Sequence, residues 1–367
     1  MQPQYYIGIM SGTSMDGADA VLIQMQGKQW QRAVAHSFLP YSDGLRQELL
    51  ALQDIGENEL HRSNILAQTL SRLYAQTVQQ LLAEQNLSAK DIAAIGCHGQ
   101  TIRHAPEHGY SIQLVNLPLL AELTGIFTIG DFRSRDLACN GQGAPLVPAF
   151  HEALFRDANE TRAVLNIGGI SNISILPPDS PSFGFDTGPG NMLMDAWMQH
   201  IWQQPYDKNG EKAAQGEILP DLLASLLDHP YFSRPYPKST GRELFSLSWL
   251  QGRLKGKEKP EDVMRTLVFY TAQTIFDATK QAAPAIHHLY ICGGGIRNPV
   301  LMHDLETLFS PDTKLHSTAK LHLDPQWVEA AAFAWLAACW CNQIPSNPHH
   351  ATGAHSHRIL GSGHYGN

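Results

Sequence analysis

The side chains of this sequence that could do chemistry include two carboxylates, each beside a predicted turn or helix end. Asp186 lies in residues 183–191, where a predicted strand gives way to a predicted helix through Gly-Pro-Gly. A carboxylate held at such a turn is a candidate general base, although Asp also caps helices frequently. Glu329 stands at the start of a predicted alanine-rich helix, residues 327–335. It is either a second active-site carboxylate or a charge that stabilises the helix dipole.

Residues 10–17 form a segment that could hold phosphate groups. Glycines, hydroxyls and the carboxylate of Asp16 lie there between two apolar runs, which predicts a β-hairpin. Backbone N–H groups at the tip could cradle phosphate oxygens, and Asp16 could hold Mg²⁺ directly or through water. An ordinary hairpin turn is the alternative. The segment is not a P-loop, because neither a Lys nor a helix follows the glycines.

Two further glycine-rich segments lie in the second half of the chain. Residues 163–175 repeat the hairpin pattern around Gly168 and Gly169. Two such hairpins suggest a duplicated architecture whose halves face each other across a nucleotide, with two unrelated glycine turns as the alternative. Gly293, Gly294 and Gly295 follow a predicted strand and precede a predicted helix, so their backbone would allow close approach of an adenine or a ribose.

Polar side chains that could bind a sugar follow two other predicted strands. They are His98, Gln100 and Thr101 after residues 92–97, and Asp131 and Arg133 after residues 126–129. Ligands bind at the carboxyl ends of strands in open α/β sheets, so we expect these side chains to face a substrate. A loop histidine and a surface ion pair are the alternatives. Arg133 with Asp131 could clamp a polar or anionic group, and Gln142 lies in the next glycine-rich loop, residues 141–145.

Composition narrows the class of protein. The chain has 367 residues, 43% of them hydrophobic and 16% charged, which fits about two globular domains. A net charge of -8 without a block of Lys or Arg argues against nucleic acid as a partner. The N-terminus shows no signal peptide, and the longest apolar stretch, residues 330–341, is too short to span a bilayer. Five cysteines without a CxxC motif favour free thiols in a reducing cytoplasm.

Hydrophobic periodicity predicts the elements that position these residues. A strand is expected over residues 30–39, and helices over residues 48–84 and 262–278. Residues 204–245, rich in Pro and aromatic side chains, predict a long ordered loop with one short helix. The C-terminal histidines lack a regular metal-binding spacing and are expected on a solvated tail. They are His349, His350, His355, His357 and His364.

Taken together, these motifs resemble the 1,6-anhydro-N-acetylmuramic acid kinase family, which belongs to the superfamily of sugar kinases, actin and heat-shock chaperone ATPases. The resemblance covers residues 7–361. It rests on residues 12–17, 97–101, 131–136, 141–148, 166–169, 184–191, 237–243, 292–295 and 327–330. The sequence departs from the family pattern at residues 114–118 and at Cys139-Asn140, and both departures bear on contacts with the sugar.

The resemblance implies an α/β fold of two actin-like (ribonuclease H-like) domains with a nucleotide cleft between them. We expect the first domain to span residues 1–133, with the tail 355–367 packing back on it, and the second to span 134–354. The family also implies ATP and Mg²⁺ as cofactors, no nucleic-acid or membrane partner, a cytoplasmic location and a homodimer.

Site residues follow from the same resemblance, position by position. The ATP-binding set is Gly12, Thr13, Ser14, Met15, Asp16, Gly17, Ala18, Asp19, Gly168, Gly169, Gly293, Gly294 and Gly295, with Asp16 as the metal ligand. The sugar-binding set is His98, Gln100, Thr101, Asp131, Arg133 and Gln142, and the catalytic pair is Asp186 and Glu329.

The implied reaction is the ATP-dependent hydrolytic phosphorylation of the anhydro sugar to N-acetylmuramic acid 6-phosphate in cell-wall recycling. O6 of the anhydro sugar is an ether oxygen without a proton, so a water attacking C1 must open the ring, and that water needs a base. Another ATP-dependent sugar kinase or an ATP-switched binding module on the same fold are the alternatives. A panel of sugar substrates would distinguish another sugar kinase from a kinase of the anhydro sugar. An appended peptide-binding domain would indicate the ATP-switched binding module.

Overall fold

The computed structural model of the chain describes residues 3–12, 15–236, 238–241, 244–283 and 285–366. The chain divides into two compact units, Met1–Phe150 with Trp327–Asn367, and His151–Gln326. This division differs from the sequence-based boundaries at 133 and 354. The first unit runs on to Phe150 and takes back the chain at Trp327, because the helix that follows Trp327 packs on the first sheet.

The secondary structure alternates strands and helices. In the described part of the chain the strands are β1 (Gln4–Ser11), β2 (Gly17–Gln26), β3 (Gln29–Pro40), β4 (Ile92–Ala105), β5 (Tyr110–Leu114), β6 (Thr128–Gly130), β7 (Arg162–Ile167), β8 (Ile170–Leu176), β9 (Phe183–Pro189), β10 (His288–Cys292), β11 (Lys314–Ser317) and β12 (Ser362–His364). The α-helices are α1 (Asp43–Ala51), α2 (Glu59–Glu84), α3 (Leu117–Thr124), α4 (Ser134–Leu137), α5 (Val147–Phe155), α6 (Met192–Trp202), α7 (Pro220–Leu227), α8 (Leu247–Gln251), α9 (Pro260–Ala282), α10 (Pro299–Phe309), α11 (Val328–Cys341) and α12 (His349–Thr352).

The first unit is built on a seven-stranded mixed sheet of order β12-β6-β4-β1-β2-β3, with β5 paired to β4. Strands β1, β2 and β3 form an antiparallel meander. Strand β4 runs parallel to β1, and β6 runs parallel to β4. The C-terminal strand β12 closes this edge by pairing antiparallel with β6. The predicted strand over residues 30–39 is confirmed as β3.

The second unit repeats this order in a five-stranded sheet, β11-β10-β7-β8-β9. Strands β7, β8 and β9 form the antiparallel meander, while β10 and β11 continue the sheet in parallel on the side of β7. Helix α9 covers this sheet with apolar residues such as Val263, Leu267 and Ile275, each fully or almost fully buried. The repeat confirms the predicted fold class, an α/β protein with two domains of the actin-like kind.

Helix α11 lies unusually close to the first sheet. Gly8 of β1 and Gly96 of β4 are directly paired, and a Cβ atom on either would collide with the backbone of the helix at Ala330 or Phe333. Only glycine at both positions allows this approach. The alanine-rich helix predicted from the sequence is therefore confirmed, and its first turn, with Glu329, lies over the sheet.

Two expectations about local structure were wrong. Strand β4 does not end at Cys97, because β5 pairs with its second half, so His98, Gln100 and Thr101 lie inside the strand. Asp186 lies inside β9, whose pairing with β8 extends to Pro189, and not at a strand-to-helix turn. The expected long loop with one short helix over residues 204–245 is confirmed in its described part, where α7 is that helix and short 3₁₀ turns lie before it, with Asp207 accepting hydrogen bonds from the backbone of Lys212 and Ala213.

Candidate active site

The first glycine-rich segment is confirmed as the hairpin of β1 and β2. Thr13 and Ser14 lie outside the described residues. Gly12 and Met15 close the turn through a Met15 N–H to Gly12 O hydrogen bond of 3.2 Å. Met15 has a left-handed backbone, φ 55°, and its side chain is fully buried in the core, whereas Asp16 is exposed at the tip. Met15, Gly17 and Ala18 are buried, so Asp16 is the exposed position between Met15 and Ala18.

Glycine is required where the hairpin re-enters the sheet. A Cβ atom on Gly17 would collide with Leu39 O and the ring of Phe38 in β3. Two residues further on, the Asp19 carboxylate lies 2.7 Å from His36 Nε2, and the His36 ring stacks on Trp327 with ring centroids 5.5 Å apart. Asp19, expected at the nucleotide, therefore pairs with His36, whose ring Trp327 supports, and no local sequence pattern predicts this contact.

A chain of buried polar side chains supports the base of this hairpin. We expected Gln100 to bind the sugar, but its side chain is completely buried and turned toward the hairpin. Its Oε1 accepts a hydrogen bond from Ser11 Oγ, and its Nε2 donates to Gly12 O at 3.2 Å. Tyr41 donates to Ser11 Oγ at 2.6 Å, and the Tyr41 and Tyr74 hydroxyls are 3.3 Å apart.

His98 and Arg133 form the polar centre of the predicted sugar site. One Arg133 terminal nitrogen donates to His98 Nε2 at 2.8 Å, and the other donates to Gly143 O at 2.7 Å. Burial, with the nearby guanidinium, lowers the pKa of His98 well below its usual value, so the ring is neutral with its proton on Nδ1. Burial lowers the pKa of Arg133 to about 10, which leaves it charged.

The Glu329 carboxylate acts on this same centre. Burial lowers the pKa of Arg133, whereas the negative charges of Glu329 and Asp136 raise it, so both carboxylates lie near the guanidinium. Glu329 occupies the first turn of α11 and is partly exposed. Asp131, which was expected to clamp a polar or anionic group together with Arg133, accepts hydrogen bonds from the Ser134 backbone N–H and hydroxyl.

Asp136 organises the loop that carries Gln142. This completely buried carboxylate accepts hydrogen bonds from Gly143 N at 2.9 Å, Asn347 Nδ2 at 3.1 Å and Thr352 Oγ1 at 2.9 Å. The Gln142 backbone N–H donates to Thr352 O, and the Gln142 side chain is exposed. Thr101, the remaining member of the predicted sugar set, accepts a hydrogen bond from Gln113.

The second unit gathers its glycine-rich turns at one end of its sheet. Strands β7 and β10 are parallel neighbours, with Asn166 opposite Cys292, so the turns that follow them adjoin each other. Gly295 packs against Ile167 so closely that a Cβ atom would collide with it. A Cβ atom on Gly169 or Gly294 would meet only one atom within 4 Å, at 3.9 and 3.7 Å respectively, so their backbone is accessible.

Asn191 connects these turns. Its Nδ2 donates to Ile167 O at 3.3 Å, and its backbone N–H donates to Gly168 O at 2.8 Å. Gly190 donates to Gly169 O at 2.9 Å. The second glycine hairpin is therefore confirmed, and it is tied to the end of β9, the strand that carries Asp186.

Asp186 is held on a rigid strand by four neighbours in the second unit. Asn172 opposes it in β8. The Thr240 N–H donates to Asp186 Oδ2 at 3.0 Å, the Asp186 N–H donates to Lys238 O at 3.0 Å, and the Tyr231 hydroxyl donates to Asp186 O at 2.6 Å. The roles of Tyr231, Lys238 and Thr240 were not predicted from the sequence. Of the family motif 237–243, Pro237, Arg242 and Glu243 lie outside the described residues.

Tyr231 and Lys238, which contact the Asp186 backbone, also contact each other. Burial, followed by the Asp186 charge, raises the pKa of Tyr231 well above its usual value, so this phenol remains a donor. The Lys238 ammonium donates to Phe232 O at 3.1 Å and lies over the Tyr231 ring, 4.9 Å from its centroid. Burial lowers the pKa of Lys238.

The donor set at the first hairpin fits a magnesium ion of the kind that accompanies a nucleotide. Within the described residues, no three His, Cys, Asp or Glu side chains are grouped to hold a metal. Mg²⁺ usually keeps several waters and binds one or two carboxylates plus phosphate oxygens, which the exposed Asp16 can satisfy. Over the same residues, no helix has both the length and the apolar character needed to cross a membrane.

Comparison with known proteins gives one consistent family. The model of the family described as anhydro-N-acetylmuramic acid kinase matches residues 4–366. The anhydro-N-acetylmuramic acid kinase of Neisseria meningitidis serogroup C (strain 053442) is 71% identical over 365 residues, which cover 100% of both chains. That of Nitrosomonas europaea is 50% identical over 361 residues, covering 98% of this chain and 99% of the relative. A solved structure of the activator of the 2-hydroxyisocaproyl-CoA dehydratase from Clostridium difficile with bound ADPNP is 13% identical, with a TM-score of 0.47 and coverage of 93% and 96%.

Proposed function

The chain belongs to the anhydro-N-acetylmuramic acid kinase family, and on this premise we propose that it uses ATP to phosphorylate and open 1,6-anhydro-N-acetylmuramic acid. The products are N-acetylmuramic acid 6-phosphate and ADP, and the reaction recovers sugar from the cell wall. In this reaction the bond between C1 and O6 breaks, and a water oxygen bonds to C1. O6 bonds to the γ-phosphorus while the bond from that phosphorus to the β,γ-bridging oxygen breaks and ADP leaves. One water proton must leave for a base.

The geometry of Asp186 is the observation that carries this mechanism. The carboxylate projects from the middle of a paired strand, and the Thr240 N–H fixes its Oδ2. A base of this kind works only when its oxygen is held in a defined direction toward the water it activates. We assign Asp186 to the removal of the water proton, which corresponds to the base half of an inverting glycosidase.

Arg133, His98 and Glu329 are proposed to recognise the sugar. The exposed Gln142 side chain offers hydrogen bonds that suit hydroxyl and amide groups, while the buried His98 accepts from Arg133 and would hold its guanidinium in place. Each terminal nitrogen of Arg133 donates one hydrogen bond to a protein acceptor and carries a second N–H, which could donate to an anionic substituent of the sugar. Glu329 is the second carboxylate, and its proposed partner is the anomeric end of the sugar.

The glycine hairpins are proposed to bind the phosphates of ATP. Accessible backbone at Gly169 and Gly294 in the second unit can donate N–H groups to phosphate oxygens, and the hairpin of β1 and β2 is the corresponding proposed segment in the first unit. Mg²⁺, held through Asp16, would neutralise the charge that develops during phosphoryl transfer. A cytoplasmic location and a homodimer stay predictions of the family resemblance.

Two measurements test the function. ADP release is followed with the anhydro sugar, with N-acetylmuramic acid, with N-acetylglucosamine and with glucose. We expect turnover with the anhydro sugar and little with the others, and a preference for an ordinary hexose would refute the assignment.

The second measurement follows the water. Turnover in ¹⁸O-water, with rapid trapping of the product, should place the label at C1 with inversion and none in the phosphate. Label in the phosphate would indicate ATP hydrolysis or hydrolysis of a phosphorylated intermediate. Retention at C1 would indicate a covalent glycosyl-enzyme, so either result contradicts the mechanism.

A further inference from the structure

We propose that Tyr41 is a positioning residue that holds the first phosphate hairpin in its binding conformation. The inference deepens the proposed function, because it takes the hairpin of β1 and β2 as part of the ATP site. Tyr41 itself touches no substrate. It acts on the hairpin through its backbone and its hydroxyl.

Tyr41 contacts both sides of the hairpin. Its backbone N–H donates to Asp16 O at 2.9 Å, on the side that enters β2. Its hydroxyl donates to Ser11 Oγ at 2.6 Å, on the side that leaves β1. One residue immediately after β3 therefore bridges the two ends of the tip, which spans residues 12–16.

The hydroxyls form a chain with a single direction. The Tyr41 hydroxyl proton is used on Ser11, so Tyr74, 3.3 Å away, must donate to Tyr41. Ser11 in turn donates to Gln100 Oε1, which can only accept. Gln100 Nε2 then donates to Gly12 O, which also accepts the Met15 N–H that closes the turn. Each bond polarises the next, so the chain strengthens the last contact at the tip.

The supporting groups are rigid and uncharged. Tyr74 is completely buried on α2, and Tyr41 is only 9% exposed. Burial raises the pKa of Tyr41 to about 12 and that of Tyr74 well above its usual value, so both remain donors at physiological pH. The tip itself begins at Gly12, whose backbone is intrinsically flexible. A phosphate cradle requires N–H groups that are already aimed when the ligand arrives, and this chain supplies that order.

The test compares two variants that each remove one phenolic hydroxyl from the first unit, Tyr41→Phe and Tyr6→Phe. Tyr6 is the matched control, because it is buried in β1 itself and its hydroxyl donates to Gln4, far along the strand from the tip. We expect Tyr41→Phe to raise KM for ATP roughly 2- to 12-fold, which corresponds to the loss of one neutral hydrogen bond. KM for the sugar should stay at its wild-type value, and Tyr6→Phe should leave both constants unchanged.

A double-mutant cycle tests whether the chain acts as a unit. Ser11→Ala combined with Tyr41→Phe should raise KM for ATP no more than the worse single variant does. The inference would be overturned if Tyr41→Phe and Tyr6→Phe gave the same KM for ATP, or if Tyr41→Phe raised KM for the sugar as much as KM for ATP. Additive effects of Ser11→Ala and Tyr41→Phe on KM for ATP would also overturn it. Calorimetric titration with ATP provides the same comparison without turnover. If the wild type binds ATP but does not use the anhydro sugar, the proposed function fails while the titration still tests Tyr41, and a wild type that binds no ATP refutes both.

Discussion

Replacing Asp186 by Asn is the sharpest perturbation of the proposed mechanism. The side chain keeps its size, and an Asn Oδ1 atom can still accept the Thr240 N–H hydrogen bond. The backbone contacts with Lys238 O and the Tyr231 hydroxyl do not involve the side chain and remain. The variant therefore removes the basicity of the carboxylate and leaves the strand around it in place.

The size of the effect distinguishes a base from a structural residue. If Asp186 only accepted the Thr240 N–H, the change from a charged to a neutral acceptor would cost about 1 kcal/mol, or roughly fivefold in any constant that depends on it. A positioned general base contributes roughly 10²–10⁴-fold to kcat. We expect the second range, with KM values for ATP and for the sugar close to those of the wild type.

The assay is steady-state ADP release with the anhydro sugar, accompanied by titration of the variant with ATP and with the sugar. Asp221→Asn is the matched control, since it is an acidic residue of the same unit whose side chain is exposed and pairs only with Lys255 on the surface. Its kcat should equal that of the wild type. A kcat for Asp186→Asn within tenfold of the control would refute the role of Asp186 as the base.

Three further changes have defined outcomes. Asp16→Ala should raise KM for Mg²⁺-ATP roughly 10- to 100-fold through loss of one charged contact, while lost sugar affinity with unchanged nucleotide affinity would show that the hairpin is misassigned. Asp136→Asn places an amide N–H₂ among buried donors from Gly143, Asn347 and Thr352, so Tm of the first unit should fall by roughly 3–10 °C, whereas Asp131→Asn, at an exposed site, should leave it unchanged. Burial lowers the pKa of His151 to about 3, so the unfolded chain takes up a proton that the folded one does not. Stability should therefore fall by about 2 kcal/mol from this group between pH 6.5 and pH 5, and denaturant titrations of His151→Gln at both pH values should lack that loss.

Local sequence signals were sufficient for the parts of the fold that depend on neighbouring residues. Both glycine hairpins could be predicted, because alternating apolar runs on either side of a turn define them within a dozen residues. The alanine-rich α11 could be predicted from composition alone. The need for glycine at Gly8 and Gly96 could not be predicted, because the helix backbone that packs against them lies more than two hundred residues later in the chain.

Signals within a single segment did not reveal how distant residues meet. Strand β4 was predicted to end at Cys97 because the apolar run ends there, but pairing with β5 holds the polar residues that follow in the sheet. The burial of Gln100 against Ser11 and Gly12 likewise joins parts of the chain that share no local pattern. Tyr41 gave no signal, since a tyrosine after a strand is ordinary until its two contacts with the hairpin are known.

The division of the chain has a consequence for synthesis on the ribosome. The second unit is one continuous stretch, His151–Gln326, whereas the first is completed only by Trp327–Asn367. Helix α11 must cover the face at Gly8 and Gly96, Asp136 needs Asn347 and Thr352, and β12 must pair with β6. Domains generally fold as units while the chain emerges. The N-terminal half, although made first, therefore has to wait for the last residues, and the unit encoded in the middle can reach its native form earlier.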